Sequence, residues 1–435
     1  MMARTRSKIR IDESALINAL FAFLIYSTMI VDFFRIINNS FFHSGLAATN
    51  LFRAVIYIAG FLGVVLLSFV DKRGMKRMAI TLLSFFVVAL ISVVINPDTL
   101  PLIISGSVLF ISRIAPTFVL ASMITDFDKA VQSVVKMKWL VVAYMIVFLS
   151  VGQSSERYYY MHVGYNLLYP ALFLLFSTGK QRVIDKLLAV ASILVILLYC
   201  ARGTVLVMVP AVGLYYLIQS LRVKSRGKRA AVIILIFAVC ILLILYFDRI
   251  FQYLYEIFPK SRSLRYIMEG DMMDSSGRDK FYSLGFNEFL QHPLNVKGIY
   301  GDRVFYGKLF EIVNIEGCFA HNVMLEFLLQ FGVILGGFIC IAFLAVVLSG
   351  VVSGLKLNTN AAVSMTCAIV LPSFLISMST VSYLNTFETA LMVGLCLAFQ
   401  RQFKTKKTAK QVGQFKMQGS NLLKRAESLS EDNNF

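Results

Sequence analysis

Apolar runs of about 17–25 residues recur from end to end of this 435-residue chain, each long enough to cross about 30 Å of hydrocarbon as a helix. Between them lie short polar stretches rich in lysine, arginine, glycine and asparagine. The pattern predicts twelve spans, centred near residues 24, 60, 86, 112, 146, 171, 192, 212, 239, 336, 369 and 392. One polar stretch is much longer than the rest. It runs from Asp248 to Ala320, between spans nine and ten, and divides the chain into four parts. These are residues 1–247 with spans one to nine, the loop at 248–320, residues 321–400 with spans ten to twelve, and a basic tail at 401–435. The predicted fold class is an all-α polytopic membrane protein. Within the loop, Phe281 to Leu290 reads as an amphipathic helix that stops at His292-Pro293-Leu294.

Charge orients this arrangement. Basic clusters at Arg4 to Arg10, Lys72 to Arg77, Lys129 to Lys138, Lys180 to Lys186, Arg222 to Arg229, Lys356 and Arg401 to Lys410 all fall on one side of a twelve-span alternation. That side is cytoplasmic by the positive-inside rule, so both termini are expected in the cytoplasm and the long loop outside it. The first apolar run has no small-residue cleavage site and is expected to stay as an anchor. Hydrophobic residues make up 58% of the chain and charged residues 15%, which excludes an ordinary soluble domain. The net charge of +18 sits mostly in short loops and the tail, so it does not point to nucleic acid. The six cysteines form neither a disulfide framework nor a metal-ligand spacing, and no metal or other cofactor is expected.

Few positions could carry chemistry. His321-Asn322 opens the tenth span, and on a helix Asn322 and Glu326 share a face. A histidine there can accept a proton from a hydroxyl near neutral pH. The alternative is an interfacial pair that caps the helix. Arg278, in Ser276-Gly277-Arg278-Asp279, can grip phosphate in a bidentate way, or be a solvated partner of Asp279. Arg202, between two apolar runs with almost no loop, needs a partner, a wet cavity, or a route to the interface. Arg113, deeper in its span, should face the bundle interior. Arg157, Tyr165 and Asn166, in or just after a tyrosine-rich outer turn, offer aromatic and amide surfaces suited to sugars, or an interfacial aromatic belt.

Two further motifs carry less. Asp126-Phe127-Asp128 has the form used for metal-bound nucleotide sugars but falls on the cytoplasmic side. Asp71 to Arg77 is similar to a loop of major-facilitator transporters, which makes a twelve-span secondary transporter the alternative of another class. Against it, Leu67 stands where that family has glycine, and only Gly179 to Asp185 joins spans six and seven.

In order and spacing, Ala201-Arg202-Gly203, Gly277-Arg278, His292-Pro293-Leu294, Gly298-Ile299-Tyr300 and Ala320-His321-Asn322 with Leu325-Glu326 and Gly332 resemble one family. It is the O-antigen polymerase and O-antigen ligase superfamily (Wzy-like and WaaL-like proteins), and the resemblance covers residues 201 to 337. It implies a GT-C-like inner-membrane glycosyltransferase that uses a glycan on undecaprenyl pyrophosphate, without a metal. By similarity Arg202 and Arg278 would hold the pyrophosphate and His321 would prepare the acceptor hydroxyl. Arg113, Arg157, Tyr165, Asn166, Asn322 and Glu326 would contact substrate. The partners implied are the lipid-linked glycan, membrane lipid, a chain-length regulator and a flippase. The tyrosine-rich turn favours the polymerase over the ligase, which transfers finished polymer to lipid A-core. The first outer loop, Asn38 to Asn50, has no acidic residue, so an aspartate base is not expected there and the role passes to His321.

Overall fold

A computed structural model describes residues 12–42, 45–151, 159–179, 181–199, 202–223, 225, 227, 229–231, 234, 245–258, 264–265, 268, 278–312 and 317–431. Described residues form helices and no strand. In chain order these are α1 (Glu13–Ile37), α2 (Gly45–Val70), α3 (Lys72–Ile95), α4 (Leu100–Leu109), α5 (Ala115–Met123), α6 (Phe127–Lys136), α7 (Lys138–Val151), α8 (Tyr159–Leu175) and α9 (Arg182–Tyr199). Then follow α10 (Arg202–Leu221), α11 (Phe247–Ile257), α12 (Arg278–Gln291), α13 (Gly301–Leu309), α14 (Val323–Phe331), α15 (Gly337–Leu357), α16 (Asn360–Met365), α17 (Leu371–Ser379) and α18 (Glu388–Glu431).

Eight helical stretches among the described residues are long and apolar enough to cross a membrane: Glu13–Phe42, Gly45–Phe69, Lys72–Ile95, Pro97–Met123, Phe127–Val151, Gly203–Leu221, Val323–Leu357 and Asn360–Ser379. Their outer faces carry leucine, isoleucine and phenylalanine in the open, as at Leu62, Leu66, Leu83 and Leu90. Water would not tolerate so much continuous apolar surface, whereas lipid does. The chain is an α-helical polytopic membrane protein. Helices α8, α9 and the start of α18 cover the predicted centres at 171, 192 and 392, and the centre at 239 lies outside the described residues.

Local chemistry explains where helices begin and bend. Asp12, Asp71 and Asn322 cap α1, α3 and α14 through side-chain oxygens that accept from the first backbone N–H groups. Proline widens two spans. Pro116 and Pro372 lack the N–H that would donate back four residues, and just before each the helix opens into a π-turn, over Phe110–Ile114 and Thr366–Val370.

The two ends of the bundle differ. At one end Arg77 donates to the Ser122 carbonyl (2.8 Å) and Arg401 to that of Ile124 (3.3 Å). Lys138 pairs with Asp185 (2.8 Å) and Arg222 donates to Asn360 (3.1 Å) at the same end. Residues of several predicted basic clusters are thus gathered together, while Arg4 to Arg10 lies outside the described residues. The opposite end carries α12 and α13. Here Asn96 donates to the Lys297 carbonyl (3.3 Å) and Lys308 pairs with Asp98 (2.6 Å).

The His-Pro-Leu and Gly-Ile-Tyr motifs fasten this polar segment to the spans. Pro293 accepts from the Val333 N–H (2.7 Å), and the Lys297 and Gly298 N–H groups both reach the Gln330 carbonyl (3.0 and 2.9 Å). The Ile299 N–H donates to Ser92 Oγ of α3 (2.9 Å). Gly298 has φ +76°, and a Cβ there would lie 2.7 Å from the Ser92 Cβ and 2.9 Å from its Cα. Only glycine fits. The Tyr300 hydroxyl in turn lies where a side chain would be at Gly106 of α4.

Candidate functional site

The residues that close this end meet on one structural feature, the C-terminal end of α17. A helix end leaves backbone carbonyls without partners and carries partial negative charge. Here three successive carbonyls are taken by three side chains from distant parts of the chain. Asn322 Nδ2 donates to Met378 (3.0 Å), Arg278 Nη1 to Ser379 (2.9 Å) and His321 Nδ1 to Thr380 (3.1 Å). The Tyr282 hydroxyl, one turn along α12 from Arg278, bridges the His321 and Ser379 carbonyls (3.2 and 3.4 Å). Arg278 and His321-Asn322 therefore act as one unit although some forty residues separate them.

The bond at His321 has a chemical consequence. A carbonyl can only accept, so Nδ1 carries the proton and the neutral ring keeps its lone pair on Nε2. Burial pushes this imidazole below its ordinary value; the bond to Thr380 opposes that, and the positive Arg278 adds to it. His321 sits in the left-handed region (φ 53°), and its ring lies 4.1 Å from that of Phe319 and edge-on to Phe281. The ring is neutral and held in one orientation.

A cavity of about 540 Å³ opens beside it. His321 and Arg278 line one part, and the spans supply the rest: Asp32 and Arg35 of α1, Arg53 and Tyr57 of α2, Arg113, His162, Tyr165 and Asn166 of α8, and Glu388 of α18. Four arginines thus face two carboxylates. Arg113 is 7% exposed and lies on the π-turn before Pro116. Its Nη1 donates to the Tyr57 hydroxyl (2.8 Å), and the guanidinium stacks on Phe387 (4.2 Å) and Tyr57 (4.7 Å). Its Nη2 has no hydrogen-bond partner among the described residues. The Glu388 carboxyl, which lines the same cavity, lies within reach of its charge, and the open donor can meet an anion.

Of the residues singled out in the sequence, His321, Arg278, Arg113, Tyr165 and Asn166 line this cavity. Asn322 stands behind it, and its Oδ1 caps α14 through the Met324 and Leu325 N–H groups (3.0 and 3.1 Å). Arg157 lies outside the described residues, as does the side chain of Arg202, whose backbone opens α10. Glu326 differs from the expectation. It is fully buried and turned away from the cavity into a polar network. Its carboxylate accepts from Ser382 Oγ (2.5 Å) and the Tyr383 N–H (3.4 Å). Gln330 spans from Glu326 (3.4 Å) to Asp302 (2.7 Å), and Arg303 donates to Ser382 (3.0 Å). Burial pushes the Asp302 carboxyl up, and the adjacent Arg303 charge limits the rise. The network holds residues 382–383 from beneath, so Glu326 positions the site and does not face a substrate.

Asp32 was missed because it lies inside an apolar run, as Val31-Asp32-Phe33-Phe34-Arg35, and not in the outer loop. An acid and a base three residues apart within a span are the signal that finds it. No acidic side chain comes from the first outer loop, but one does reach the cavity from the helix before it. No protein-family model matches the chain, and no curated protein is significantly similar to it.

Proposed function

We propose that this protein is a glycosyltransferase of the bacterial inner membrane that polymerises undecaprenyl-pyrophosphate-linked oligosaccharide repeat units. In this reading the chain crosses the membrane twelve times, with both termini in the cytoplasm and the cavity at the periplasmic face. The observation that carries it is the cavity itself, where a neutral imidazole and four guanidinium groups meet at the end of the bundle opposite the basic loops. That end is the outer one by the positive-inside rule.

The reaction follows from these groups. The acceptor hydroxyl gives its proton to His321 Nε2 as its oxygen attacks the anomeric carbon. The bond from that carbon to the diphosphate breaks, and the electron pair leaves with the polyprenyl diphosphate, inverting the centre. A diphosphate leaves as a stable anion and needs no proton, only positive charge at the breaking bond. Arg278 and Arg113 supply it from fixed positions. The tyrosine-rich turn next to Tyr165 and Asn166 favours polymerase over ligase.

The test is surface glycan from cells carrying His321→Ala or Arg278→Ala at normal protein level. The expected result is collapse to single repeat units in both. Long chains in both would overturn the proposal, and full-length polymer left on its lipid carrier would indicate the ligase. Uptake or efflux of a small solute by reconstituted vesicles would indicate the transporter.

A further inference from the structure

A second cavity, of about 420 Å³, lies at the other end of the bundle, between the first turns of α1 and α6. Helix spacing accounts for its walls. Ala15, Ala19 and Ala22 put short side chains on one face of α1, while Lys129, Gln132, Ser133 and Lys136 put polar ones on one face of α6. The opposite face of α6 is apolar, and its Ala130 and Val134 are fully buried. The Tyr26 hydroxyl donates to the Val134 carbonyl (3.1 Å) and ties the two helices together. No carboxylate lines this cavity. Asp126 stands outside it, where its Oδ1 caps α6 by accepting from the Lys129 N–H (3.0 Å). Its pair with the Lys129 ammonium is 3.6 Å long and leaves that side chain more than half exposed. Among the described residues Lys136 pairs with no carboxylate.

Asn18 marks the cavity as a binding site. It lines the wall, is 2% exposed, and donates from Nδ2 to Ser14 Oγ (3.4 Å), while its Oδ1 has no partner among the described residues. A buried amide oxygen left open is costly until a donor reaches it. Two ammonium groups call for an anion beside that donor. Depth narrows the choice. The candidate spans Glu13–Phe42 and Phe127–Val151 both begin here, and Trp139, the one tryptophan of the chain, stands exposed three residues beyond Lys136. Tryptophan collects at the level of the lipid headgroups. We propose that this cavity binds the headgroup of an anionic phospholipid, with its phosphate on Lys129 and Lys136 and a hydroxyl donating to Asn18, as a phosphoglycerol headgroup can. A zwitterionic headgroup would bring its own ammonium against the lysines. The assignment is independent of the reaction proposed above.

Native mass spectrometry of the purified full-length protein in detergent counts bound lipids and tests the site. The probes are phosphatidylglycerol, phosphatidylethanolamine and glycerol 3-phosphate. One phosphatidylglycerol should be held about tenfold or more tighter than phosphatidylethanolamine, and glycerol 3-phosphate should not be retained at the same concentration. Lys129→Gln with Lys136→Gln should abolish that preference. Ala19→Leu, which fills the groove from the α1 side without changing charge, should abolish it too. Lys404→Gln with Lys407→Gln removes the same charge from the surface of α18 and should leave it unchanged. All five positions are exposed, so the fold tolerates these changes. Equal retention of the two lipids, a tight lipid that survives both cavity variants, or an equal loss in the α18 variant would overturn the proposal. Glycerol 3-phosphate held as tightly as phosphatidylglycerol would overturn the lipid and give the cavity to a soluble phosphate ester.

Discussion

Replacing Gly298 by alanine tests how the polar segment is held on the spans. At φ +76° an L-residue costs about 1–2 kcal/mol, before any contact is considered. The new methyl would lie 2.7 Å from the Ser92 Cβ and 2.9 Å from the Ser92 Cα and Oγ. The Cα belongs to the backbone of a packed helix and cannot move aside, so overpacking adds about 1–3 kcal/mol. Pushing the turn away also strains the bond from the Ile299 N–H to Ser92 Oγ, worth about 1 kcal/mol. The expected loss is about 3–6 kcal/mol, localised to the docking of residues 292–300.

Ser92→Gly alone loses that hydrogen bond and introduces glycine into a helix, about 2 kcal/mol together. In the double variant the clash is partly relieved and the hydrogen bond is lost only once. It should therefore be about 2 kcal/mol more stable than the sum of the single changes. Thermal unfolding in detergent gives the energies, and hydrogen–deuterium exchange over residues 292–300 shows where they act. Wild-type melting with unchanged exchange in Gly298→Ala, or strict additivity in the double variant, would refute this view of the docking.

Two further outcomes follow from the polar groups. Arg303→Met removes the buried positive charge that acts on the Asp302 and Glu326 carboxyls together with the bond to Ser382 Oγ, and should cost about 1.5–3 kcal/mol in detergent unfolding; adding Asp302→Asn and Glu326→Gln should restore part of it. Because burial and Arg278 hold the His321 imidazole below its ordinary value, the unfolded chain binds its proton first on acidification. The site's contribution to stability is thus present above about pH 6.5 and is lost as pH falls from there toward the folded value. Under the proposed glycosyl transfer, activity should fall on the acid side as His321 Nε2 takes a proton, and Arg278→Gln, at whatever residual rate it keeps, should move that acid limb to higher pH.

The sequence made the helices legible because apolar periodicity is a local property. Helix α12 and the cap at Asn322 were equally readable, since capping residues and proline stops act within a few positions. The site was readable only in part. His321, Arg278 and Arg113 announce themselves as polar groups beside or within apolar runs. Nothing local says that three of the site's side chains converge on the last carbonyls of α17, because those acceptors are backbone atoms and leave no trace in residue identity. Glu326 misled for a related reason. Its spacing from Asn322 is correct for a shared helix face, but its partners come from Ser382 and Tyr383, more than fifty residues away. Asp32 and Arg35 were obscured by the hydrophobic residues around them.

The end of α17 has a consequence for how such a protein could change over time. A guanidinium, an imidazole and an amide are registered by three consecutive peptide units of one helix, and Tyr282, one turn beyond Arg278, ties two of them together. The sequence between Ile312 and Gly317 could lengthen, shorten or be exchanged while Arg278, His321 and Asn322 kept their spacing. Hybrid proteins that swap this stretch while retaining residues 371–380 should keep the end of α17 intact and, under the proposed glycosyl transfer, are a route to altered glycan preference.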